Sequence, residues 1–223
     1  MKFYESGDNR KPVIFLFPGT CCLYSSFDHV LDGLHSYFYT VTVSYDGFDS
    51  NEKTEFYSME DECEKIEQEI RKKYGGRIYL VAKIQSSMVV PFMYKMVHTG
   101  TLPKFMQKKL DKTDGGKKEL YNGFLNMFGI GKGGSPWITK QSIYNQFYSD
   151  LVTKVQHGID VPGTTIHVFY ATKMGEKYEK RYCTYFKNPD IRRYNMQHEE
   201  LFCCHSAEWV EEVRKAVELP DEI

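Results

Sequence analysis

Apolar positions fall into two patterns, short continuous runs and runs recurring every three or four residues, and the two alternate along the chain. Pro12-Val13-Ile14-Phe15-Leu16-Phe17 is continuous and follows a polar lead of about ten residues, as expected of a parallel strand covered on both faces. Pro18-Gly19-Thr20 breaks it. Ser25-Ser26-Phe27 opens a helix in which Phe27, Val30, Leu31 and Leu34 recur at helical spacing, and Tyr39-Thr40-Val41-Thr42-Val43-Ser44 returns to strand, completing one βαβ unit. Turn residues Asp46 to Asn51 lead to Ser58, three residues before Asp61 as in a capping box. The next helix runs through Glu62, Ile66 and Ile70 to Tyr74, with solvated charges over its other faces, and Gly75-Gly76 stops it.

The stretch from Arg77 to Val90 carries the most informative local pattern. Ile78, Leu80 and Val81 form a short β-prone run that reads as a buried strand; small residues then bracket a sharp turn, and Met88-Val89-Val90 begins a second apolar segment. Strand, tight turn and helix with small residues two before and two after the apex make the pattern of a nucleophile elbow, because the strand and helix backbones approach closely there. Here small-x-X-x-small is Ala82-Lys83-Ile84-Gln85-Ser86, so the position expected to carry Ser, Cys or Asp carries Ile84, a side chain with no lone pair and no acidic proton. A register one residue later places Gln85 at the apex. Two residues later makes Ser86 the nucleophile, at the cost of bulky Ile84 and Met88 at the close-approach positions.

Beyond the turn, Pro91 fits only near a helix start, and that helix continues to about Gly100. Residues from about 101 to 160 hold Gly115-Gly116 and Gly129 to Gly134 between short amphipathic pieces such as Ile143 to Val155, and read as a cap-like helical insertion. Thr164 to Ala171 is a further strand, a charged helix runs from about Gly175 to Lys187, and Asp190-Ile191-Arg192-Arg193-Tyr194 is the last strand. His198 lies in a loop, and Ser206 caps a final helix with Trp209, Val210, Val213 and Val217 on one face. This order predicts an α/β fold: one domain over 1–223, a mostly parallel central sheet and helices on both faces.

Composition narrows the function classes. The 223 residues include 17 Tyr and 15 Phe, which supply a packed core rather than a disordered chain. The net charge is −1, with 29 Lys and Arg against 30 Asp and Glu, and the Lys and Arg are dispersed, so no nucleic-acid partner is expected. No run approaches the roughly 20 apolar residues of a membrane span, and Met1 to Asp8 lacks the apolar core of a signal peptide, so the expectation is a cytoplasmic protein with no membrane partner. The six cysteines, without CxxC spacing, read as thiols. Adjacent pairs such as Cys21-Cys22 and Cys203-Cys204 diverge too much for a zinc site, and no metal or other cofactor is expected. Gly129-Ile130-Gly131-Lys132-Gly133-Gly134 follows no predicted strand and lacks a Lys-Ser/Thr ending, so it reads as a flexible surface loop, not a phosphate cradle. The aromatics between Tyr121 and Tyr148 serve equally as core or as pocket lining under the insertion.

With these residues in view, the chain resembles the α/β-hydrolase family over its whole length except the insertion. Arg77 to Ser87 resembles the family's strand and G-x-S-x-G-G elbow with every glycine replaced by Ala or Ser. Phe17-Pro18-Gly19-Thr20 is similar to the His-Gly oxyanion loop, and Gln197-His198-Glu199-Glu200-Leu201 to the loop carrying the catalytic His. The resemblance implies a triad in which His198 holds the base position and Ile84 the nucleophile position. At the acid position, after the Ile166 to Ala171 strand, stand Lys173 and Met174, with Glu176 the nearest carboxylate. Gly19, Thr20, Cys21 and Gln85 then line the oxyanion site or pocket. The expectation is a pseudoenzyme that binds a small molecule or a protein partner, because a base with nothing to deprotonate contributes little; a homo-oligomer is compatible with this reading. The alternative is an active hydrolase of a small ester, thioester or amide with a relocated nucleophile, Ser86, Ser87, Cys21 or Cys22, paired with His198.

Overall fold

Strand β2 (Val13–Phe17) lies between β3 (Tyr39–Ser44) and β4 (Ile78–Ala82), parallel to both, with Phe15 beside Val41 on one side and Leu80 on the other. Flanked in this way, Ile14, Phe15 and Leu16 are completely buried, which is why the run is continuously apolar rather than alternating. A computed structural model describes residues 1–75, 78–82 and 90–217 of the chain. The expected elbow turn, with Ile84, Gln85, Ser86 and Ser87, lies outside the described residues.

The polar lead is a strand. β1 (Lys2–Ser6) pairs antiparallel with β3, giving a four-stranded sheet in the order β1-β3-β2-β4. Its charged, half-exposed sequence suits an edge, where Lys and Glu discourage further pairing, while Phe3 packs on the core. At the opposite edge of these four strands, Leu80 is 59% exposed, which corrects the expectation that the whole strand is buried.

Helix α1 (Asp28–His35) buries Val30 and Leu34 and packs against β3. Helix α2 (Met59–Lys73) starts where the capping box predicts, with the Ser58 hydroxyl accepting from the Asp61 N–H at 3.1 Å. Its charges are not all solvated: Glu62, one turn before Ile66 on the same face, is fully buried. Helices α3 (Val90–Thr99), α4 (Lys104–Asp111), α5 (Gly115–Met127) and α6 (Lys140–Val152) follow. α3 and α6 pack together, and Val97, Ile143 and Phe147 join Phe15, Val41 and Val43 in one core, each such side chain contributing about 1.5–3 kcal/mol on burial.

The glycine run between α5 and α6 is a tight junction as well as a surface loop. The Gly131 N–H donates to the Gly100 carbonyl at 2.9 Å and the Ser135 N–H to that of Val97 at 2.8 Å. A Cβ on Gly134 would lie 2.3 Å from the Gly100 nitrogen, and one on Gly100 2.2 Å from the Gly134 nitrogen. Two backbones in contact leave no room for a side chain on either.

The chain divides into two compact units, Met1–Thr153 and Lys154–Ile223. In the second, β5 (His167–Ala171) and β6 (Asp190–Tyr194) pair in parallel, joined by α7 (Glu176–Tyr185). α8 (Glu200–Cys204) and α9 (Ser206–Ala216) follow, and α9 buries Trp209, Val210 and Val213 as the periodicity predicts. His205, not Ser206, occupies the cap position of α9, without a side-chain cap bond. Among the described residues no helix is long and apolar enough to cross a membrane.

Candidate functional site

The loop after β2 is built on a tight turn in which the Cys22 N–H donates to the Gly19 carbonyl at 2.9 Å. This forces Cys21 into the left-handed region, φ 60°, a conformation that costs a non-glycine residue about 1 kcal/mol or more and persists where surrounding contacts fix it. The contacts come from α6. The Cys21 N–H donates to Gln146 Oε1 at 2.7 Å, and the Thr20 hydroxyl donates to Asp150 Oδ2 at 2.6 Å. Gln146 and Asp150 are one turn apart and share a helix face; Gln146 is 2% exposed.

The same helix serves other loops with its polar side chains. Ser142 Oγ accepts from the Phe56 N–H at 3.2 Å, and Asn145 donates to the Phe56 carbonyl at 2.8 Å. Ser142, Gln146 and Ser149 are all buried, so each hydrogen bond stands in for one to water. The polar stripe Ser142-Gln146-Ser149 beside Ile143 and Phe147 was the available sequence signal: three uncharged polar residues at helical spacing on a core-facing helix.

Electrostatics at this loop disfavour a thiolate at Cys21. Cys21 and Cys22 are buried, and burial, then Cys22, then Asp150 push the Cys21 thiol well above its ordinary pKa. A neutral buried thiol is a poor nucleophile. Burial also raises the Asp150 pKa, against the Thr20 hydrogen bond that lowers it.

In the second unit, β5 ends in a single 3₁₀ turn, Thr172–Met174, and Gly175 at φ 95° starts α7. The Lys173 N–H donates to the Met196 carbonyl at 3.2 Å, setting the acid-position loop beside the loop of His198. The candidate acid Glu176 does not use this closeness: its side chain is 90% exposed and lies 3.8 Å from Lys180, as a first-turn residue of α7 pointing to water. The carboxylate beside His198 is instead Glu199, whose Oε1 is 3.8 Å from His198 Nε2 and whose side chain is 12% exposed. Glu199 also has φ 60°.

One acidic trio, Asp46, Asp61 and Glu62, has carboxylate oxygens within 4.8 Å of one another. The Lys65 ammonium occupies its centre, 2.5 Å from Asp46 and 3.3 Å from Glu62 and in contact with Asp61. The amino group of Met1 also bonds Asp46. The trio is an ion-pair network. All six cysteines are thiols, as the spacing implied.

No family model and no curated protein matches the sequence. Solved structures do match. An α/β-hydrolase family protein from Desulfitobacterium hafniense superposes with a TM-score of 0.66 at 12% identity, over 97% of this chain and all of that one. The chain has the α/β-hydrolase fold. A marine microorganism esterase matches at 0.60 and 15% identity, over 96% and 98% of the two chains. A 1H-3-hydroxy-4-oxoquinoline 2,4-dioxygenase matches at 0.58 and 13%, over 97% and 95%. In this α/β-hydrolase fold the segment from 104 to 152 is occupied by α4, α5 and α6, and α6 is the element that reaches the loop after β2.

Proposed function

We propose that this protein binds a small molecule through its α/β-hydrolase fold without hydrolysing it. The observation that carries the reading is the Cys21 N–H bound at 2.7 Å by the buried Gln146 carbonyl. Acyl transfer requires donors aimed at a developing oxyanion, and here an amide of the oxyanion loop is spent on the protein itself, with the Asp150 carboxylate one residue away on Thr20. Ile84 at the small-x-X-x-small apex supports the same reading from the sequence. The fold leaves the chemistry open, since its neighbours include proteins described as an esterase and as a dioxygenase.

The alternative hydrolase needs a relocated nucleophile. Burial and the raised pKa of Cys21 weigh against a thiol, which leaves Ser86 and Ser87. Turnover of short-chain nitrophenyl esters tests the pair of readings. The wild-type protein is expected to be inert and Ile84→Ser weakly active at best, because a general base alone supplies about 10²–10⁴-fold. Wild-type turnover abolished by Ser86→Ala or Ser87→Ala overturns the proposal.

A further inference from the structure

Helix α4 (Lys104–Asp111) fully buries none of its residues. With α5 it forms an open cleft of about 540 Å³, within the range of roughly 300–1,000 Å³ usual for small-molecule sites. Gly100, after the last residue of α3, and Gly131, in the loop after α5, complete the lining. The Gly131 N–H ties the two by donating to the Gly100 carbonyl at 2.9 Å. A Cβ added to Gly131 would meet nothing within 4 Å, so the cleft is open beside it. Thr20, Cys21, Gln146 and Asp150 are not among the lining residues, and the cleft is therefore a different place from the loop after β2.

The lining combines aliphatic side chains with carboxamides. Leu102, Leu110 and Leu125 are half-buried there beside the buried Ile130, and covering the apolar surface that folding leaves accessible is favourable by about 25 cal/mol per Å². Gln107, Asn122 and Asn126 supply the polar part. Asn122 and Asn126 lie one turn apart on α5 and share a face. Among the described residues neither side chain has a hydrogen-bond partner. Gln107 donates from Nε2 to Asp111 Oδ1 at 2.8 Å, which leaves its carbonyl available. Each carboxamide carries both donors and an acceptor.

None of the side chains lining the cleft is ionisable. A charged ligand entering it would give up hydration without meeting a counter-ion. The last turns of α3 and α5 both end at the cleft, and their terminal carbonyls further oppose an anion.

We propose that this cleft binds a small uncharged carboxamide with an apolar body. The amide group returns a donor and an acceptor to the unpartnered Asn122 and Asn126, while the apolar body covers the leucines. A ketone or ester returns acceptors only. The inference goes beyond the reading above, and it holds or fails independently of any chemistry at the loop after β2.

Calorimetric titration and ligand-observed NMR with benzamide and cinnamamide provide the test. Acetophenone, benzoate and benzylamine serve as controls that keep the ring and change the donor or the charge. At least one amide should bind saturably, and all three controls at least tenfold more weakly than benzamide or cinnamamide. The Asn122→Leu/Asn126→Leu double variant should weaken amide binding at least tenfold with an unchanged melting temperature, since both positions are exposed. If that variant melts lower, Asn126→Trp, which fills the cleft from its rim, carries the test and should abolish binding. Lys108→Leu, exposed on α4 and outside the lining, should bind as the wild type does. The inference is overturned by no saturable response to either amide, or by a control that binds as tightly as the amides. Amide binding undiminished in a folded Asn variant, or lost equally in Lys108→Leu, overturns it as well.

Discussion

The Cys21 amide hydrogen and the Gln146 side-chain carbonyl, 125 residues apart in sequence, meet at 2.7 Å in a fully buried hydrogen bond. Gln146→Leu keeps the volume but strands the N–H, and leaving a buried donor unpaired costs about 1–3 kcal/mol. Urea denaturation should show that loss. The freed amide should not bring esterase activity, since the apex side chain is unchanged.

Gly100 and Gly134 hold the loop between α5 and α6 against the end of α3 by backbone contact, at φ 66° and 74°. Alanine at either position must move the opposing backbone as well as adopt a left-handed conformation, at a cost of roughly 2 kcal/mol or more. Gly133→Ala, at φ 90° with nothing within 4 Å of an added Cβ, should cost about 1 kcal/mol, the conformational part alone. Comparing the three melting curves separates close approach from conformation; equal losses would contradict the contact.

Lys65→Met should destabilise the protein by roughly 1–3 kcal/mol at neutral pH, as Glu62 keeps only the Asp46 N–H and Asp46 only the Met1 amino group, the rest of the network being unchanged. The pH dependence should change with it. Burial pushes Asp46 up, but Lys65 and the Met1 amino group outweigh that and hold its pKa below the ordinary value. The stability from Asp46 is therefore present above about pH 4 and is lost as pH falls through the lowered pKa. Glu62 is raised, by burial first, so its contribution runs the other way and improves as pH falls. Without Lys65 the raised carboxylates dominate, and the variant should gain stability relative to the wild type on acidification from pH 7 to 5. Parallel pH profiles would contradict this account of the network.

Much of the fold was legible because its rules are local or periodic. The apolar run of β2, the Ser58 cap and the exact span of β6, Asp190–Tyr194, each follow from a few neighbouring residues. What was missed depends on partners distant in sequence. β1 looks like a polar tail until β3 supplies its pairing. Glu62 looks like a surface charge until the Asp46 backbone N–H and Lys65 compensate it. Gln146 and Asp150 look like the polar side of an insertion helix until the loop after β2 is laid against them. At the candidate site the position of Thr20 and Cys21 was readable from Pro18-Gly19, while their saturation by α6 was not. Glu176 follows β5 closely in sequence, but its side chain is 90% exposed, and the Glu199 carboxylate lies 3.8 Å from His198.

The central claim is that this α/β-hydrolase fold forms no acyl-type covalent intermediate. Its most direct test is intact-mass spectrometry of the wild-type protein after exposure to a serine-directed fluorophosphonate, with a competent serine hydrolase as positive control. An unchanged mass is the predicted result; a stoichiometric adduct, mapped by peptide sequencing to Ser86 or any other serine, would contradict it.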